Sequence, residues 1–446
     1  MMRVYFDALG CPKALVDAEK IASIVQNAEN EIVLSPAEAE VIIINTCGFI
    51  ETAKQESINS ILEYTEMKKD NPGLKVIVSG CLTERYRNEL WKSIPEIDSM
   101  IGARDIGKIL DALTLKSEDI LDKGDYREYE FDGARTPLFS GSQYAYLKIS
   151  EGCARQCAFC AIPSIRGPLR SRSIEDILKE AKFLRDEWDV RELILVSEDT
   201  SAYGQDRYGK KSIITLLEKL IEMDFDWIRL LYLFPDEIVS EIAAMMSISD
   251  KICRYIDIPL QHASGRILRA MNRPGDADTY LSMIDGIRAK VPDAAIRTAF
   301  IVGFPGEDES DHAALAEFLK QARFDRVGFF EYSDEEGTPA HEMTGKVPVM
   351  VVRRRIEELS RIQEGISAER LAGRVGMRLK CINDGTMMER GDAMTAVFRS
   401  QYEAPEIDGS IVAVIGAGDV PDEPFYQVRI TKVLPPHDLE GVIIEP

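Results

Sequence analysis

The feature of this chain that most restricts its fold is a regular alternation of short apolar runs with amphipathic segments of helical period. Up to about residue 116, the runs RVYFDAL, EVIIINT and KVIVSG are each followed by a helical pattern. Strands that alternate with helices form parallel sheets whose faces are covered by the helices. Residues 1–116 are therefore predicted to form a small doubly wound parallel α/β domain.

The alternation resumes over residues 143–366, after a polar and acidic connector predicted at residues 117–142. Six apolar runs follow one another there, and each except the last precedes a helical pattern: AYLKIS, ELILVS, WIRLLYLF, RYIDIPL, RTAFIVGF and RVGFFEYS. Because a complete barrel has eight such units, six predict a partial (β/α)6 barrel whose active site lies at the carboxyl ends of its strands.

Residues 367–446 show a third pattern, after a long charged helix. Four short apolar runs are separated by Gly, Asp and Pro: GMRLKCIND, AMTAVFRS, SIVAVIG and FYQVRITKVL. This pattern predicts a small, OB-like β-barrel.

The chain lacks the sequence signals of membrane insertion. No apolar run approaches the roughly 18–20 residues that span a bilayer, and the N-terminus has no basic region followed by an apolar stretch. We therefore expect a cytoplasmic protein without a membrane partner.

Three cysteines lie within eight residues, directly after the first predicted barrel strand, in EGCARQCAFC: Cys153, Cys157 and Cys160. Soft thiolates favour iron–sulfur clusters or zinc. Three ligands on one tight loop can hold three corners of a [4Fe-4S] cubane and leave one iron open to chelate S-adenosylmethionine (SAM). The alternative is a zinc site completed by Cys253 or His262.

The CxxxCxxC spacing resembles the signature of the radical SAM superfamily, in which reductive cleavage of SAM yields a 5′-deoxyadenosyl radical. The resemblance implies that Phe159, just before the third cysteine, lies near the adenine. After the second barrel strand, Ser197, Glu198 and Asp199 occupy the position of the superfamily's acidic motif, which holds the methionyl amino group. A capping cluster that opens the next helix is the alternative.

Two later strand ends carry further candidates for cofactor binding. The fourth strand ends with Asp257 and Gln261, polar groups that could bind ribose or substrate, while His262 could equally be a satisfied histidine beneath the site. The fifth strand ends in FIVGFPGED, which lacks the GxxxxGK pattern of a phosphate loop. Gly303 is therefore predicted to let the backbone approach the adenine, with ordinary turn geometry as the alternative.

A second set of cysteines has no compact spacing but occupies equivalent positions. Cys11, Cys47 and Cys81 each follow a predicted strand directly, in FDALGC, IIINTC and VIVSGC. In a parallel sheet these thiols project at the same carboxyl edge, where open α/β sheets bind ligands. They are predicted to hold a second cluster, the alternative being three unrelated buried thiols. Cys253 and Cys381 are interpreted as ordinary buried thiols.

Over essentially its whole length the sequence resembles the radical SAM methylthiotransferases, built of an N-terminal cluster domain, a radical SAM barrel and a C-terminal TRAM domain. The segments LGCPKALVDAE, NTCGFIETAKQES and CAIPSIRGPLRSR are similar to the branch that modifies an aspartate of small-subunit ribosomal protein S-twelve. The tRNA-modifying branch typically begins with an FGCQMN-like segment. At Glu198 the sequence departs from the ribosomal-protein branch, in which Gln is expected.

The resemblance implies two [4Fe-4S] clusters and SAM as both methyl donor and radical source. The Cys153, Cys157 and Cys160 cluster would generate the radical that abstracts hydrogen from the aspartate β-carbon. The Cys11, Cys47 and Cys81 cluster would hold the sulfur that is methylated and transferred. The reaction needs an electron donor, such as flavodoxin or ferredoxin, and a sulfur source. Nothing in the sequence demands an oligomer, so a monomer is expected.

Charge bears on the choice of substrate. The chain carries 54 Lys and Arg against 76 Asp and Glu, a net charge of -22, and residues 369–446 contain 8 of the former and 13 of the latter. An acidic protein repels phosphates and suits a basic ribosomal protein, so nucleic acid is not expected as the primary partner. The alternative for the acidic surface is a solvated face that serves solubility alone. The alternatives are a tRNA methylthiotransferase and, from another class, a non-catalytic metal-binding scaffold.

Overall fold

The computed structural model describes residues 1–114, 130–141, 143–390, 393–415 and 422–445. Much of the predicted connector, residues 115–129 and 142, lies outside the described residues. Residues 130–141 contain no helix or strand.

The first domain is a parallel five-stranded sheet, as the strand and helix alternation predicts. Its strands are β1 (Arg3–Ala8), β2 (Glu31–Ile32), β3 (Val41–Thr46), β4 (Lys75–Gly80) and β5 (Ser99–Gly102), in the order β2-β1-β3-β4-β5. Its helices are α1 (Pro12–Asn27), α2 (Glu51–Glu66), α3 (Cys81–Ser93) and α4 (Ile109–Thr114). The strand order reverses between β1 and β3, and the crevice outside such a switch point is where doubly wound sheets bind ligands.

The central domain is an open barrel of six parallel strands, which confirms the predicted partial barrel. These are β6 (Tyr144–Lys148), β9 (Glu192–Val196), β10 (Trp227–Leu230), β11 (Tyr255–Asp257), β12 (Ala295–Val302) and β13 (Arg326–Glu331). Two further short strands, β7 (Ser150–Glu151) and β8 (Arg170–Ser171), form a separate antiparallel pair. A parallel bridge between Ile228 and Ile252 connects its two three-stranded halves.

Helices cover the outside of this barrel and one of them leads out of it. They are α5 (Ile162–Arg166), α6 (Ile174–Trp188), α7 (Gln205–Tyr208), α8 (Ile213–Ile221), α9 (Ile238–Ile248), α10 (Gly265–Ala270), α11 (Ala277–Lys290), α12 (Glu309–Ala322) and α13 (Val349–Ala372). Helix α13 continues past residue 366, so the boundary predicted there falls inside a helix.

The C-terminal domain is a closed barrel of five strands rather than the four that the sequence pattern predicts. The strands are β14 (Arg378–Arg390), β15 (Ala393–Arg399), β16 (Ile411–Ile415), β17 (Phe425–Leu434) and β18 (Asp438–Glu445), in the order β14-β15-β16-β18-β17. The fifth strand, DLEGVIIE, contains a central glycine, which weakens strand propensity. It is stabilised by pairing on both sides, parallel with β16 and antiparallel with β17.

The C-terminal barrel packs on the amino ends of the central strands, away from the predicted active site. Trp227, the first residue of β10, meets the Phe425 ring edge-on at 5.0 Å between centroids. Glu192, the first residue of β9, is fully buried and pairs with Arg399 at 2.8 Å and with Arg229 at 2.6 Å. The N-terminal domain packs at the other end of the barrel, where the carboxyl ends of the central strands lie.

The described end of the connector fastens the first domain to the second. Arg135 is 1% exposed and bridges Glu19 of α1, at 2.5 Å, and Glu180 of α6, at 2.7 Å. Buried charges are stable only when paired in this way. This part of the predicted connector is therefore packed structure, not a loose tether.

Among the described residues, no helix combines the length and apolar character that crossing a membrane requires.

Candidate functional site

The carboxyl edge of the N-terminal sheet brings three cysteine-bearing loops together. Cys11 precedes the first residue of α1, Cys47 directly follows β3, and Cys81 is the first residue of α3. Gly80, at φ +104°, allows the third loop to approach, since a Cβ there would lie 2.5 Å from the Thr46 carbonyl oxygen. Only glycine adopts such a backbone conformation freely. Gly10, at φ +106°, likewise lies against the Cβ of Cys47.

The CxxxCxxC loop leaves β6 and folds back through its own backbone. The Cys153 amide donates to the Gly167 carbonyl at 3.1 Å, and the Cys160 amide donates to the Cys157 carbonyl at 3.1 Å. Ala158 donates to Met271, which fastens the middle of the loop to the end of α10. The three thiols are therefore held on one compact loop at the mouth of the barrel.

Segments that carry or follow the two cysteine sets are in contact across the domain interface. Cys81 packs with Ala161 and Ile165, which directly follow the CxxxCxxC motif. Arg166, at the end of the same segment, donates its Nε–H to the Cys81 sulfur at 3.2 Å. The sequence places each set at a strand end, but only the tertiary fold brings the two ends together.

The thiols of both sets are poor nucleophiles in these surroundings. Burial raises the pKa of Cys153 to about 11 and the pKa values of Cys160 and Cys81 to about 12, so these free thiols are protonated and weakly nucleophilic near neutral pH. A coordinating metal deprotonates such thiols outright.

Several thiols also have nitrogen donors in place. The Arg155 amide donates to the Cys153 sulfur at 3.3 Å, Arg273 lies 3.7 Å from the Cys157 sulfur, and Arg166 contacts Cys81. Hydrogen bonds to the ligand sulfurs are one means by which proteins tune iron–sulfur clusters. In the described part of the chain, no three His, Cys, Asp or Glu side chains are grouped closely enough for a single metal ion. A cubane attaches each thiolate to a different iron and so accepts a wider spacing.

Arg166 is also the centre of a buried ionic network that joins the domains. Its Nη1 donates to Asp17 of α1 at 2.6 Å and to Glu151 of the barrel at 3.1 Å. Lys148 pairs with the same two carboxylates. Burial alone would raise the pKa of Glu151, but Lys148 and Arg166 outweigh it and lower that pKa. Sequence reasoning missed Arg166, although it lies within the SIRG segment that follows the cysteine motif.

The residues of the acidic motif after β9 differ in their hydrogen bonding. Ser197 is buried and its hydroxyl lies 3.2 Å from the Thr200 hydroxyl. The Glu198 side chain is 3% exposed, and neither of its oxygens has a hydrogen-bond partner among the described residues. Burial raises the pKa of Glu198, as expected of a carboxyl group without close donors. An unsatisfied buried carboxylate of this kind is typical of a ligand site.

Lys13 of α1 is the nearest cation to Glu198 and was also missed from the sequence. Its Nζ lies 3.9 Å from Glu198, 3.4 Å from the Ser197 carbonyl and 4.5 Å from the centre of the Tyr232 ring. Burial alone would lower the pKa of Lys13, but the neighbouring Cys11 and Glu198 outweigh it and raise that pKa. The lysine is therefore a cation held between the two cysteine sets.

Asp199 lies on the barrel side of the mouth. One of its oxygens accepts from Arg155 at 2.8 Å, and the other is buried without a partner in the described chain. It precedes a single 3-10 turn, Thr200–Ala202, without capping it through its side chain. The capping alternative therefore receives no support from this residue.

Asp257 has hydrogen-bond partners within the protein, and its predicted role in binding ribose or substrate stays a prediction. The residue is fully buried, accepting from Arg297 at 2.7 Å and from the Tyr232 amide at 2.9 Å. Tyr232 lies at φ +62° and Gln261 at φ +75°, conformations that non-glycine residues rarely adopt and that cluster at functional sites. Asp257 is thus placed to hold the strained Tyr232 loop, whereas Gln261 remains partly exposed.

The two residues considered as a fourth zinc ligand are engaged elsewhere. Cys253 precedes β11 at the amino end of the barrel, opposite the cysteine loop, and lies against Glu192. His262 is fully buried, and its Nδ1 accepts from the Ala263 and Ser264 amides at 2.9 Å each. Burial lowers the pKa of His262 to about 4, so the ring is neutral. These contacts satisfy Nδ1, whereas Nε2 is buried without a hydrogen-bond partner among the described residues, 3.9 Å from Glu307, so both interpretations of His262 stay predictions. Cys381 is buried, as expected.

Phe159 and Gly303 border the mouth on its other side. Phe159 is half-buried against a small apolar cluster that contains Ala158 and Phe304. At Gly303, φ is +85° and a Cβ would lie 2.4 Å from the Val352 side chain of α13. Turn geometry and helix packing therefore explain this glycine, and the predicted approach to an adenine stays a prediction.

We expect Gly303→Ala to reduce the free energy of unfolding by roughly 1–3 kcal/mol, because the new methyl group overpacks against Val352. Gly337→Ala is the matched control, since Gly337 has φ +77° but no atom within 4 Å of the added Cβ. Urea denaturation of both variants separates packing from backbone strain. Equal losses in the two variants would contradict the packing explanation.

Three family models match successive parts of the chain. The uncharacterized protein family UPF0004 matches residues 3–102, the radical SAM superfamily matches residues 147–319, and the TRAM domain matches residues 375–444.

Solved radical SAM enzymes share the fold at low sequence identity. The methyltransferase TsrM of Kitasatospora setae, solved with cobalamin and a [4Fe-4S] cluster bound, aligns with a TM-score of 0.54 at 12% identity, covering 76% of each chain. The cobalamin-dependent radical SAM enzyme OxsB aligns with a TM-score of 0.50 at 11% identity, covering 81% of this chain and 56% of that one.

Curated relatives match the chain from end to end. Proteins named ribosomal protein uS12 methylthiotransferase RimO are 42% identical in Thermotoga maritima, over 99% of this chain and 100% of that protein, and 41% identical in Clostridioides difficile, over 100% and 99%. The RimO protein of Acetivibrio thermocellus is 40% identical over 98% of this chain and 97% of its own length. This chain therefore belongs to the RimO family of radical SAM methylthiotransferases, enzymes whose cofactors are iron–sulfur clusters and SAM.

Proposed function

We propose that this enzyme adds a methylthio group to the β-carbon of an aspartate in ribosomal protein uS12. The observation that carries the proposal is that the two cysteine-bearing strand edges meet at the domain interface, where Arg166, from the segment that follows Cys160, contacts the Cys81 sulfur. A substrate side chain placed between them would meet a radical source on one side and a sulfur donor on the other.

In this proposal each thiol set holds one [4Fe-4S] cluster. Cys153, Cys157 and Cys160 hold the cluster that binds SAM, and Cys11, Cys47 and Cys81 hold the auxiliary cluster. When bound, these groups supply a 5′-deoxyadenosyl radical, which removes a hydrogen atom from the substrate carbon, and a methylated sulfur, which replaces it.

The chain's own residues bind and orient the reactants. Glu198 offers two unsatisfied oxygens and Asp199 one, a fit for the methionyl amino group of SAM. Ser197, Gln261, Phe159 and the backbone at Gly303 border the same mouth. Asp257 acts indirectly, by holding the Tyr232 loop.

The acidic character of the chain supports a protein substrate over tRNA. A net charge of -22 opposes binding to a phosphate backbone and favours a basic ribosomal protein. Such a substrate would place the enzyme in the cytoplasm. In this proposal the enzyme works as a monomer and needs an electron donor and a sulfur source.

The test uses anaerobically purified, cluster-reconstituted enzyme incubated with uS12, SAM, sulfide and reductant, and with tRNA in parallel. Mass spectrometry of digested uS12 is expected to find a combined sulfur and methyl gain on one aspartate. A gain on tRNA alone would assign the enzyme to the other branch of the family. Failure to modify either substrate, without release of 5′-deoxyadenosine, would favour the non-catalytic scaffold.

A further inference from the structure

Lys13 projects from the N-terminal domain into the space between the two cysteine sets. It lies two residues after Cys11, and its Nζ reaches the barrel near Ser197 and Glu198, 184 residues along the chain. The side chain is 12% exposed, so it is enclosed but still open to the mouth.

The ammonium group has hydrogen-bonding capacity left over. A lysine offers three donors, and here one of them meets the Ser197 carbonyl at a long 3.4 Å. Glu198 lies at 3.9 Å, beyond hydrogen-bond distance, and its two oxygens have no partner among the described residues. Buried charges without close partners are costly, so the arrangement suits a ligand that completes it.

Two neighbouring arginines pair with carboxylates of the protein, whereas Arg273, beside Cys157, belongs to the barrel and donates to the Pro259 carbonyl at 2.7 Å. Arg155 pairs with Asp199 at 2.8 Å and with Asp236 at 3.1 Å. Arg166 pairs with Asp17 and Glu151. Among the described cations that cross between the two domains, Lys13 is one whose contacts leave room for an incoming carboxylate.

Tyr232 fixes the position of that cation. Its ring faces the Lys13 ammonium at 4.5 Å, a cation–π contact that holds the charge without using its donors. Tyr232 itself has φ +62°, and its amide is held by Asp257. The protein therefore stabilises a strained loop, and the Tyr232 ring on that loop contacts the Lys13 ammonium group.

We propose that Lys13 receives the carboxylate of the substrate aspartate, and that this contact makes the enzyme specific for an acidic side chain. The inference rests on the proposed function and deepens it. The β-carbon is bonded directly to the carboxylate carbon, so binding the carboxylate positions the carbon that reacts. Glu198, the adjacent acid, is then free to accept the amino group of SAM. An adenosine offers no carboxylate to Lys13.

The experiment measures anaerobic binding of two fluorescein-labelled uS12 peptides to reconstituted enzyme with SAM. One peptide contains the target aspartate and the other contains Asn, which has the same shape without the charge. We expect the wild type to prefer the Asp peptide by at least about tenfold, the contribution of one charge-assisted hydrogen bond. Lys13→Gln is expected to bind both peptides equally, and Lys13→Arg to retain a preference.

Lys54→Gln is the matched control variant. Lys54 also joins the N-terminal domain to the barrel, pairing with Glu335 at 3.1 Å and facing the Tyr86 ring at 5.4 Å, but it lies on α2 rather than beside Cys11. This variant should keep the full preference for the Asp peptide. Iron content and SAM affinity are measured for every variant.

Three outcomes would overturn the inference. The wild-type enzyme could bind the Asp and Asn peptides with equal affinity, a result that is measured without any variant. Lys13→Gln could keep the preference with normal SAM affinity. It could also keep the preference while losing SAM affinity, which would assign Lys13 to the methionyl carboxylate of the cofactor. In each case a mass gain on uS12 would leave the proposed function standing, whereas its absence in the wild type would refute that function separately.

Discussion

Cys157→Ala and Cys47→Ala are each expected to lose the iron of one [4Fe-4S] cluster and all methylthiolation activity. The two variants should differ in whether they still cleave SAM. Without Cys157 the barrel loop keeps only two of its three thiols, so reductive cleavage of SAM should fall to background. Without Cys47 the barrel loop is intact, and 5′-deoxyadenosine should still form while no sulfur is transferred. Both losses should far exceed the roughly 10- to 100-fold effect of changing an outer-shell partner.

The measurements are iron and sulfide content, 5′-deoxyadenosine by chromatography, and mass spectrometry of uS12. Cys253→Ala is the control, because Cys253 is buried at the opposite end of the barrel against Glu192. It should keep both clusters and full activity. If Cys47→Ala retained all its iron, the assignment of the N-terminal set to a cluster would fail.

Arg166→Met is expected to reduce the free energy of unfolding by roughly 1–3 kcal/mol, the effect of removing a hydrogen-bond partner from buried groups whose charge Lys148 still neutralises. Arg166 is 2% exposed and satisfies Asp17 and Glu151, which lie on different domains. Lys148 remains to pair with both carboxylates, but it cannot replace the Nε–H donor to the Cys81 sulfur. The loss should therefore appear both as weaker domain docking and as a changed electron paramagnetic resonance signal of the auxiliary cluster.

Arg254→Met provides the comparison for the same chemical change at a weakly buried pair. Arg254 contacts Asp293 at 2.9 Å, but the two side chains are 35% and 37% exposed, so solvent screens the pair. Its loss should cost about 0–1 kcal/mol. Anaerobic urea denaturation followed by circular dichroism measures both variants. Equal midpoints for the two would show that the Arg166 network does not hold the domains together.

The local pattern of the sequence predicts most of the fold. Strand and helix alternation predicts the doubly wound domain and the six-stranded open barrel because each element is marked by its own hydrophobic period. The sequence pattern did not predict β18, because a glycine interrupts its run of apolar residues. Pairing with β16 and β17 decides the conformation of this segment. The pattern also does not reveal that the connector is packed around Arg135, because the buried pairs with Glu19 and Glu180 are contacts with distant segments.

The fold class, the family resemblance and the equivalent placement of each cysteine set at strand ends follow from the sequence alone. These are local properties, since a residue that directly follows a parallel strand must emerge at its carboxyl edge. The meeting of the two cysteine-bearing edges, and the contacts that Arg166 and Lys13 make across it, depend on the tertiary fold. The contacts that establish this span 85 residues, from Cys81 to Arg166, and 184 residues, from Lys13 to Ser197. Hydrophobic periodicity records which face of an element is buried, but not which distant loop covers it.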